Sequence, residues 1–140
     1  MLEIGFGSGL NIPCYPARLA RVQAVDPAAA GRKLAAGRAG GCAVPIEYVG
    51  SDAEALLVPD ASVDHVLSTW TLCAVPDVMR TLAEIRRVLR PGGAFGGCHL
   101  NRPIDQLVAA AGLELTRMDT YYMKGPRALG YTFEGVAIRP

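Results

Sequence analysis

The sequence predicts an α/β protein with a doubly wound, mostly parallel sheet. Three observations support this: short apolar runs alternate with helical segments, the first run ends in a turn with three alternate glycines, and the second ends in an acid. Alternating strands and helices are typical of parallel sheets that carry helices on both faces. A chain of 140 residues suits one domain, residues 1–140, with a hydrophobic core.

The first predicted strand covers residues 1–4 and leads into a glycine turn at residues 5–9. Glycines allow backbone dihedrals that a side chain would forbid. They also let a ligand approach the main chain at the carboxyl end of a strand. Such turns occur in folds without a ligand too, so this motif alone leaves both interpretations open.

The second strand, residues 22–25, ends in Asp26. This acid follows Gly5 by about 20 residues, the separation at which a βαβ unit places a carboxylate against a ribose. A carboxylate suits both ribose hydroxyls because it has several lone-pair sites. The alternative is that Asp26 caps a helix, since Pro27 suits a first helical position.

Two helices and a strand are predicted around these motifs. Residues 11–20 predict a first helix that Pro13 and Pro16 break or delay, because a proline in a helix interior costs about 3 kcal/mol. Residues 28–39 are rich in alanine and predict a second helix. Residues 45–49 predict the third strand from their β-branched and aromatic side chains.

The fourth strand is predicted over residues 62–69, where apolar character is nearly continuous, as in central parallel strands. Before it, Asp52 is able to cap a short helical turn over residues 53–57. Trp70 follows the strand at the edge of the sheet where ligands bind.

The C-terminal half begins with a strongly amphipathic helix over residues 76–89. A Pro-Gly turn at residues 90–93 is expected to end it. The fifth strand, residues 94–100, is either short and weakened by glycine or largely absent. The remaining predicted elements are a helix over residues 104–111, a strand over 113–123, a loop from 125 and a strand over 131–138.

Composition excludes several classes of protein. The formal net charge of +1 offers no electrostatic footprint for nucleic acid. No apolar stretch approaches the ~20 residues of a membrane span, and the N-terminus does not resemble a signal peptide. The cysteines form no C-x-x-C pair, so no metal site is predicted and free thiols in the cytoplasm are expected. They are Cys14, Cys42, Cys73 and Cys98.

The pattern E-x-G-x-G-x-G from Glu3 to Gly9, together with Asp26 and Leu-Arg-Pro-Gly-Gly at residues 89–93, resembles the class I S-adenosylmethionine-dependent methyltransferases. The resemblance implies a Rossmann-like sheet with strand order 3-2-1-4-5-7-6 and strand 7 antiparallel. A nicotinamide oxidoreductase is disfavoured, because a dinucleotide fingerprint needs glycine or alanine where this chain has Leu10.

The resemblance also implies S-adenosylmethionine as the cofactor and assigns roles. The glycine turn lies against its methionine part, Glu3 supports its amino group, and Asp26 binds the ribose. Asp52, with the backbone of the next residue, contacts the adenine. The predicted cofactor-binding residues are Glu3, Gly5, Phe6, Gly7, Ser8, Gly9, Asn11, Asp26, Pro27, Asp52, Ala53, Glu54, Ser68, Thr69 and Trp70.

Residues 97–102 and 122–137 are similar to the small-molecule branch of the type 11 methyltransferases, and within it to a group that methylates alkyl thiols. The expected enzyme transfers a methyl group to a small-molecule thiol, amine or hydroxyl. His99 is the candidate catalytic base, because histidine titrates near neutrality; the alternative is a structural hydrogen-bonding role. A second hypothesis is a non-catalytic cofactor-binding domain that acts as a partner-binding subunit.

Two parts of the family pattern are missing from the sequence, namely a helical segment before strand one and a stretch after strand five. An open sheet edge beside strand four would offer unpaired backbone groups to another chain. A homodimer is therefore expected. Exchange of C-terminal elements is a further expectation, because the short connection at residues 92–97 favours swapping. The alternative is that Gly96 and Gly97 make a tight turn and a monomer closes normally.

Overall fold

The structure is a computed structural model that describes residues 1–100, 102–123 and 131–140, without the side chains of residues 98–100. The loop predicted from residue 125 lies outside these ranges. The elements are β1 (Leu2–Ile4), a 3₁₀ turn (Ile12–Cys14), β2 (Val22–Val25), α1 (Ala29–Gly40), β3 (Ile46–Gly50), β4 (Val63–Thr69), α2 (Val78–Val88), β5 (Leu89–Leu100), α3 (Ile104–Ala110), β6 (Glu114–Tyr122) and β7 (Tyr131–Ile138).

The strands form one seven-stranded sheet in the order β3-β2-β1-β4-β5-β7-β6. The pairs among β1 to β5 are parallel, and β7 is antiparallel to both β5 and β6. The predicted fold class, strand order and reversed strand are confirmed. Because β1 lies at the centre, the turn that follows it opens at the middle of the sheet edge.

Helices cover the two faces of the sheet unequally. The buried apolar residues of α2 and α3 join Leu2 and Ile4 of β1 in one large core cluster. A smaller cluster lies on the other face, where Ala35 of α1 packs with Phe6, Ile12 and Ala24. Glu3 is paired in register with Ala24 and therefore lies on the α1 face, whereas Ser68 is paired with Ile4 and lies on the α2 face.

The segment after the glycine turn forms only the 3₁₀ turn, which has Pro13 within it. This agrees with the expectation that the prolines shorten the first helix. The short helical turn expected over residues 53–57 is absent from the structure. Asp52 still caps locally, because its Oδ1 accepts a hydrogen bond of 2.8 Å from the Glu54 N–H.

Strand β5 corrects the expectation of a short or disrupted fifth strand, since it runs for 12 residues. The predicted turn at residues 90–93 is instead an irregularity within the strand, with Gly92 at φ +76° and a register shift opposite β4. A Cβ at Gly97 would lie 1.7 Å from Ser68 O. The absence of a side chain at Gly97 therefore lets β4 and β5 lie close enough to pair.

The sheet closes within one chain. Strand β5 leads through α3 and β6 to β7, and β7 pairs with β5 from Ala94 to Leu100. No exchange of C-terminal elements is needed to complete the sheet. In the described ranges, every helix falls short of the length and apolar character that a membrane crossing requires.

Candidate functional site

A cavity of about 1080 Å³ opens where β1, β2, β3 and β4 end. This is the edge at which open α/β sheets bind ligands. All the predicted cofactor-binding residues except Glu3, Gly9 and Ser68 line it. Residues that were not predicted to bind the cofactor also line the cavity, among them Leu10, Thr71 and Val75.

The three glycines of the turn have positive φ angles, +79° at Gly5, +53° at Gly7 and +73° at Gly9. A Cβ at Gly5 would lie 1.7 Å from Thr71 Oγ1, and one at Gly9 would lie 2.7 Å from Ile12 Cδ1. A Cβ at Gly7 would meet nothing closer than 3.9 Å. Gly5 and Gly9 therefore allow close packing around the turn, while Gly7 leaves backbone accessible at the cavity.

Asp26 joins the turn to α1. It is only 7% exposed. Its Oδ2 accepts a hydrogen bond of 2.7 Å from the Gly7 N–H, and its Oδ1 accepts one of 2.7 Å from the Ala28 N–H. An ionised carboxylate has about four lone-pair sites, so each oxygen keeps one for a ligand. The N-cap of α1 is Ala28, without a side-chain cap hydrogen bond, so the alternative that Asp26 caps the helix is wrong. Asp26 instead holds the Ala28 N–H in a local turn.

Two further acids lie at the end of β3. Asp52 is exposed and lines the cavity next to Glu54. Glu54 Oε1 also accepts a hydrogen bond of 2.8 Å from the N–H of Asp77, the N-cap of α2. Glu54 thus links the cavity to α2, while Asp52 keeps an exposed carboxylate toward solvent.

Glu3 lies behind the cavity wall and is fully buried. Its Oε1 accepts a hydrogen bond of 3.0 Å from Asn11 Nδ2, and its Oε2 accepts a short one from the Tyr15 hydroxyl. Burial raises the pKa of the Glu3 carboxyl. Burial also raises the pKa of the Tyr15 hydroxyl, and its hydrogen bond to Glu3 raises it further. The partner Tyr15 could not be identified from the sequence, because it follows the 3₁₀ turn, where only a broken or delayed helix was predicted.

The end of β4 supplies the opposite wall. Thr69 Oγ1 lies 2.5 Å from Asn11 Nδ2. Trp70 is 49% exposed and has a φ of +57°, a left-handed conformation that costs a residue with a side chain about 1–2 kcal/mol. Ser68 faces α2 instead, fully buried, and its hydroxyl has no hydrogen-bond partner among the described residues.

The cavity has an acidic side and an apolar side. Asp26, Asp52 and Glu54 lie along β2 and β3, and among the described residues no lysine, arginine or histidine lines the cavity. The apolar side groups around β4 and consists of Leu10, Trp70, Ala74, Val75 and Pro76. This arrangement favours a cationic or neutral ligand over an anionic one.

His99, the candidate base, belongs to β5, and its backbone is paired with Phe133 of β7. Its side chain lies outside the described part of the structure. The catalytic role of His99 therefore stays a prediction.

Residues 2–96 match the family model described as "Methyltransferase domain". The chain is 40% identical over 98 residues to the human thiol S-methyltransferase TMT1A, and 36% identical over 98 residues to human TMT1B. Each match covers 68% of this chain and 40% of the relative, so the chain spans well under half the length of either human protein. The demethylmenaquinone methyltransferase of Thermobifida fusca is 29% identical over 146 residues, covering 100% of this chain and 62% of that protein.

Solved structures share the fold at low identity. A SAM-dependent methyltransferase from Methanosarcina mazei superposes with a TM-score of 0.80 at 18% identity, over 99% of this chain and 91% of that one. The [4+2]-cyclase SpnF superposes with a TM-score of 0.82 at 18% identity, over 99% of this chain and 74% of that one. These likenesses establish the architecture and leave the reaction open. Family membership rests on the sequence match over residues 2–96: the chain belongs to the methyltransferase domain family, within the class I S-adenosylmethionine-dependent methyltransferases.

Proposed function

We propose that this chain binds S-adenosylmethionine in the cavity and transfers its methyl group to a small-molecule thiol, amine or hydroxyl. The observation that carries the proposal is the position of Asp26. Its carboxylate lies at the end of β2, already ordered by Gly7 and Ala28, with spare lone pairs at the cavity. The names of the two human relatives make a thiol the first acceptor to test.

The chemistry of the cavity suits this cofactor. S-adenosylmethionine carries a cationic sulfonium and an ammonium, and its ribose and adenine offer hydrogen-bond donors. The cavity offers the acids Asp26, Asp52 and Glu54 and no cationic side chain from the described residues. Its volume of about 1080 Å³ lies just above the range of about 300–1,000 Å³ that is usual for small-molecule sites. A small acceptor therefore has room beside the cofactor.

The residues of the chain have distinct proposed roles. Asp26 would accept from the ribose hydroxyls, and Asp52 from the adenine amine. Leu10 and Trp70 would keep water away from the reacting atoms.

S-adenosylmethionine supplies an electrophilic methyl group, so the protein mainly has to position the acceptor in a dry site. His99 is the proposed base for amine or hydroxyl acceptors, whereas a thiol loses its proton more readily.

Calorimetry with S-adenosylhomocysteine tests the cofactor site. Asp26→Ala and Asp52→Ala should each weaken binding about ten- to a hundredfold, because each removes a charged acceptor. Glu114→Ala is the matched control, since Glu114 is exposed at the start of β6 and does not line the cavity. Thermal unfolding of Asp26→Ala shows why its binding is weaker. An unchanged melting temperature indicates lost contacts to the ligand, whereas a lower one indicates a disturbed glycine turn. Wild-type affinity in both cavity variants would refute the site.

Methyl transfer is tested separately with a panel of thiols, amines and phenols and labelled cofactor. The second candidate function is a cofactor-binding subunit without catalysis that acts by binding a partner. Tight cofactor binding without transfer to any acceptor would support that candidate. Loss of amine or phenol methylation in His99→Ala, with thiol methylation retained, would support His99 as the base.

We also propose that the chain forms a homodimer. Strand β6 is an edge of the sheet, and edge strands offer unpaired backbone groups to another chain. Nearby, Tyr121, Tyr122 and Tyr131 are 42%, 55% and 37% exposed. Light scattering at micromolar concentration measures the mass, and a value near 14.8 kDa would contradict association.

A further inference from the structure

We infer that Arg80 of α2 is a positioning residue for the nucleoside end of the ligand, because its side chain fixes the loop that presents Asp52 to the cavity. This β3–β4 loop comprises residues 51–62. The inference rests on the proposed function and deepens it, since it adds a residue outside the cavity to those that determine how the base is recognised. Arg80 itself does not line the cavity.

The β3–β4 loop contains no helix or strand, so its backbone groups need partners from elsewhere. Arg80 Nε donates a hydrogen bond of 3.0 Å to Glu54 O. Further along α2, Glu84 Oε2 accepts one of 2.8 Å from the Leu56 N–H, and Arg87 Nη2 donates one of 2.8 Å to Leu56 O. The three α2 residues are spaced i, i+4 and i+7, so they share one face of the helix. This polar face of α2 therefore holds the loop in place.

Arg80 acts on the part of the loop that lines the cavity. The Glu54 N–H donates to Asp52 Oδ1 at 2.8 Å, and the Glu54 carbonyl oxygen accepts from Arg80. Glu54 Oε1 also accepts from the Asp77 N–H at 2.8 Å, so Glu54 is held at three points. Asp52 Oδ2 makes no hydrogen bond with any described residue. Because Oδ1 is bound to the Glu54 backbone, Arg80 determines where Oδ2 meets a ligand.

Two substitutions at Arg80 separate its hydrogen bond from its charge. In Arg80→Gln the amide nitrogen is as many bonds from the backbone as the arginine Nε, so a donor to Glu54 O remains. In Arg80→Met a methyl group takes that place and no donor remains. Both variants remove the same positive charge, so a difference between them reports the hydrogen bond. Arg80 is exposed, so both variants are expected to fold.

Arg86 provides a matched control on the same helix. Its Nε donates to Gly112 O at 3.2 Å, so Arg86→Met also breaks a bond from an exposed arginine to a loop carbonyl. Gly112 lies between α3 and β6 and does not line the cavity. Weaker ligand binding that comes only from a less stable α2 would therefore appear in both methionine variants.

The test is calorimetry with S-adenosylhomocysteine and with its analogue that has hydrogen in place of the adenine amine. The analogue lacks the donor for Asp52, so the wild type should bind it about tenfold more weakly. Arg80→Met should weaken S-adenosylhomocysteine about three- to tenfold and change the analogue less than about twofold. Arg80→Gln and Arg86→Met should each change both ligands less than about twofold.

The possible results separate the inference from the proposed function. If Arg80→Met bound both ligands as the wild type does, or lost both equally, the inference would be overturned and the proposed cofactor site would stand. The same conclusion would follow if Arg80→Gln or Arg86→Met showed the selective loss, or if the wild type bound the two ligands equally. If the wild type bound neither ligand, the proposed function would be overturned, and the inference with it.

Discussion

Of the three glycines in helix α1, Gly31 and Gly37 should respond in opposite ways to alanine. A Cβ at Gly31 would lie 2.9 Å from the carbonyl oxygen of Gly7 and 3.0 Å from its carbonyl carbon. A Cβ at Gly37 would meet nothing within 4 Å. We expect Gly37→Ala to stabilise the protein and Gly31→Ala to disturb the glycine turn that lines the cavity.

The magnitudes follow from two effects. Alanine exceeds glycine in helix propensity by about 1 kcal/mol, so Gly37→Ala should raise the free energy of unfolding by about 0.5–1 kcal/mol. Gly31→Ala has the same gain, but forcing atoms into a packed site costs about 1–3 kcal/mol. The neighbour here is backbone and has no rotamer to change. A net loss of about 1–2 kcal/mol is expected for Gly31→Ala.

The assay combines urea unfolding with calorimetry of S-adenosylhomocysteine. Gly37→Ala should keep the wild-type affinity. Gly31→Ala should bind the ligand about tenfold more weakly, which corresponds to about 1.4 kcal/mol, because it displaces Gly7 from Asp26. If both variants gained stability and kept full affinity, the packing of α1 against the turn would be refuted.

Three further predictions concern stability. The hydrogen bond from the Arg87 guanidinium lowers the pKa of Glu84. The wild type should therefore be more stable than Glu84→Gln at neutral pH and lose this advantage as the pH falls below about 4.3. A stability difference between the two proteins that does not change with pH would contradict this. Burial raises the pKa of Glu3, so the wild type should lose stability relative to Glu3→Gln as the pH rises above about 4.3, measured by urea unfolding across pH. Ala61 has a φ of +46°, so Ala61→Gly should gain about 0.5–1 kcal/mol in thermal unfolding with unchanged ligand binding; a loss of stability would refute the strain.

Much of the fold could be predicted because local sequence signals agree with the final packing. The run at residues 22–25 is apolar and is also the strand β2, and residues 131–138 match β7. The length of β5 could not be predicted, because glycine weakens strands in general. Here Gly97 lies against the Ser68 backbone, and a larger residue would separate β4 from β5. The requirement for glycine at position 97 arises from the neighbouring strand β4, so the local sequence pattern does not indicate it.

The candidate site was predictable where it depends on position along the chain. Residues that follow strand ends, such as Asp26, Asp52 and Trp70, do line the cavity. The prediction did not include the face of the sheet on which each side chain lies. Alternation along β4 places Ser68 on the α2 face and Thr69 on the face of Glu3, a signal that was available from the period of a strand. The contacts of Glu3 were not available, because Tyr15 reaches it from an irregular loop.

The placement of β7 between β5 and β6 has a consequence for synthesis on the ribosome. Strand β5 ends at Leu100 and its outer neighbour begins at Tyr131, so about 30 residues are added while that edge stays unpaired, which takes about 2–6 seconds at about 5–20 residues per second. Strand β6 is synthesised before β7 but cannot pair until β7 follows, because β7 is its neighbour in the described sheet. A nascent chain halted before residue 131 would therefore present the glycine-rich edge of β5 together with an unpaired β6, and such edges promote aggregation.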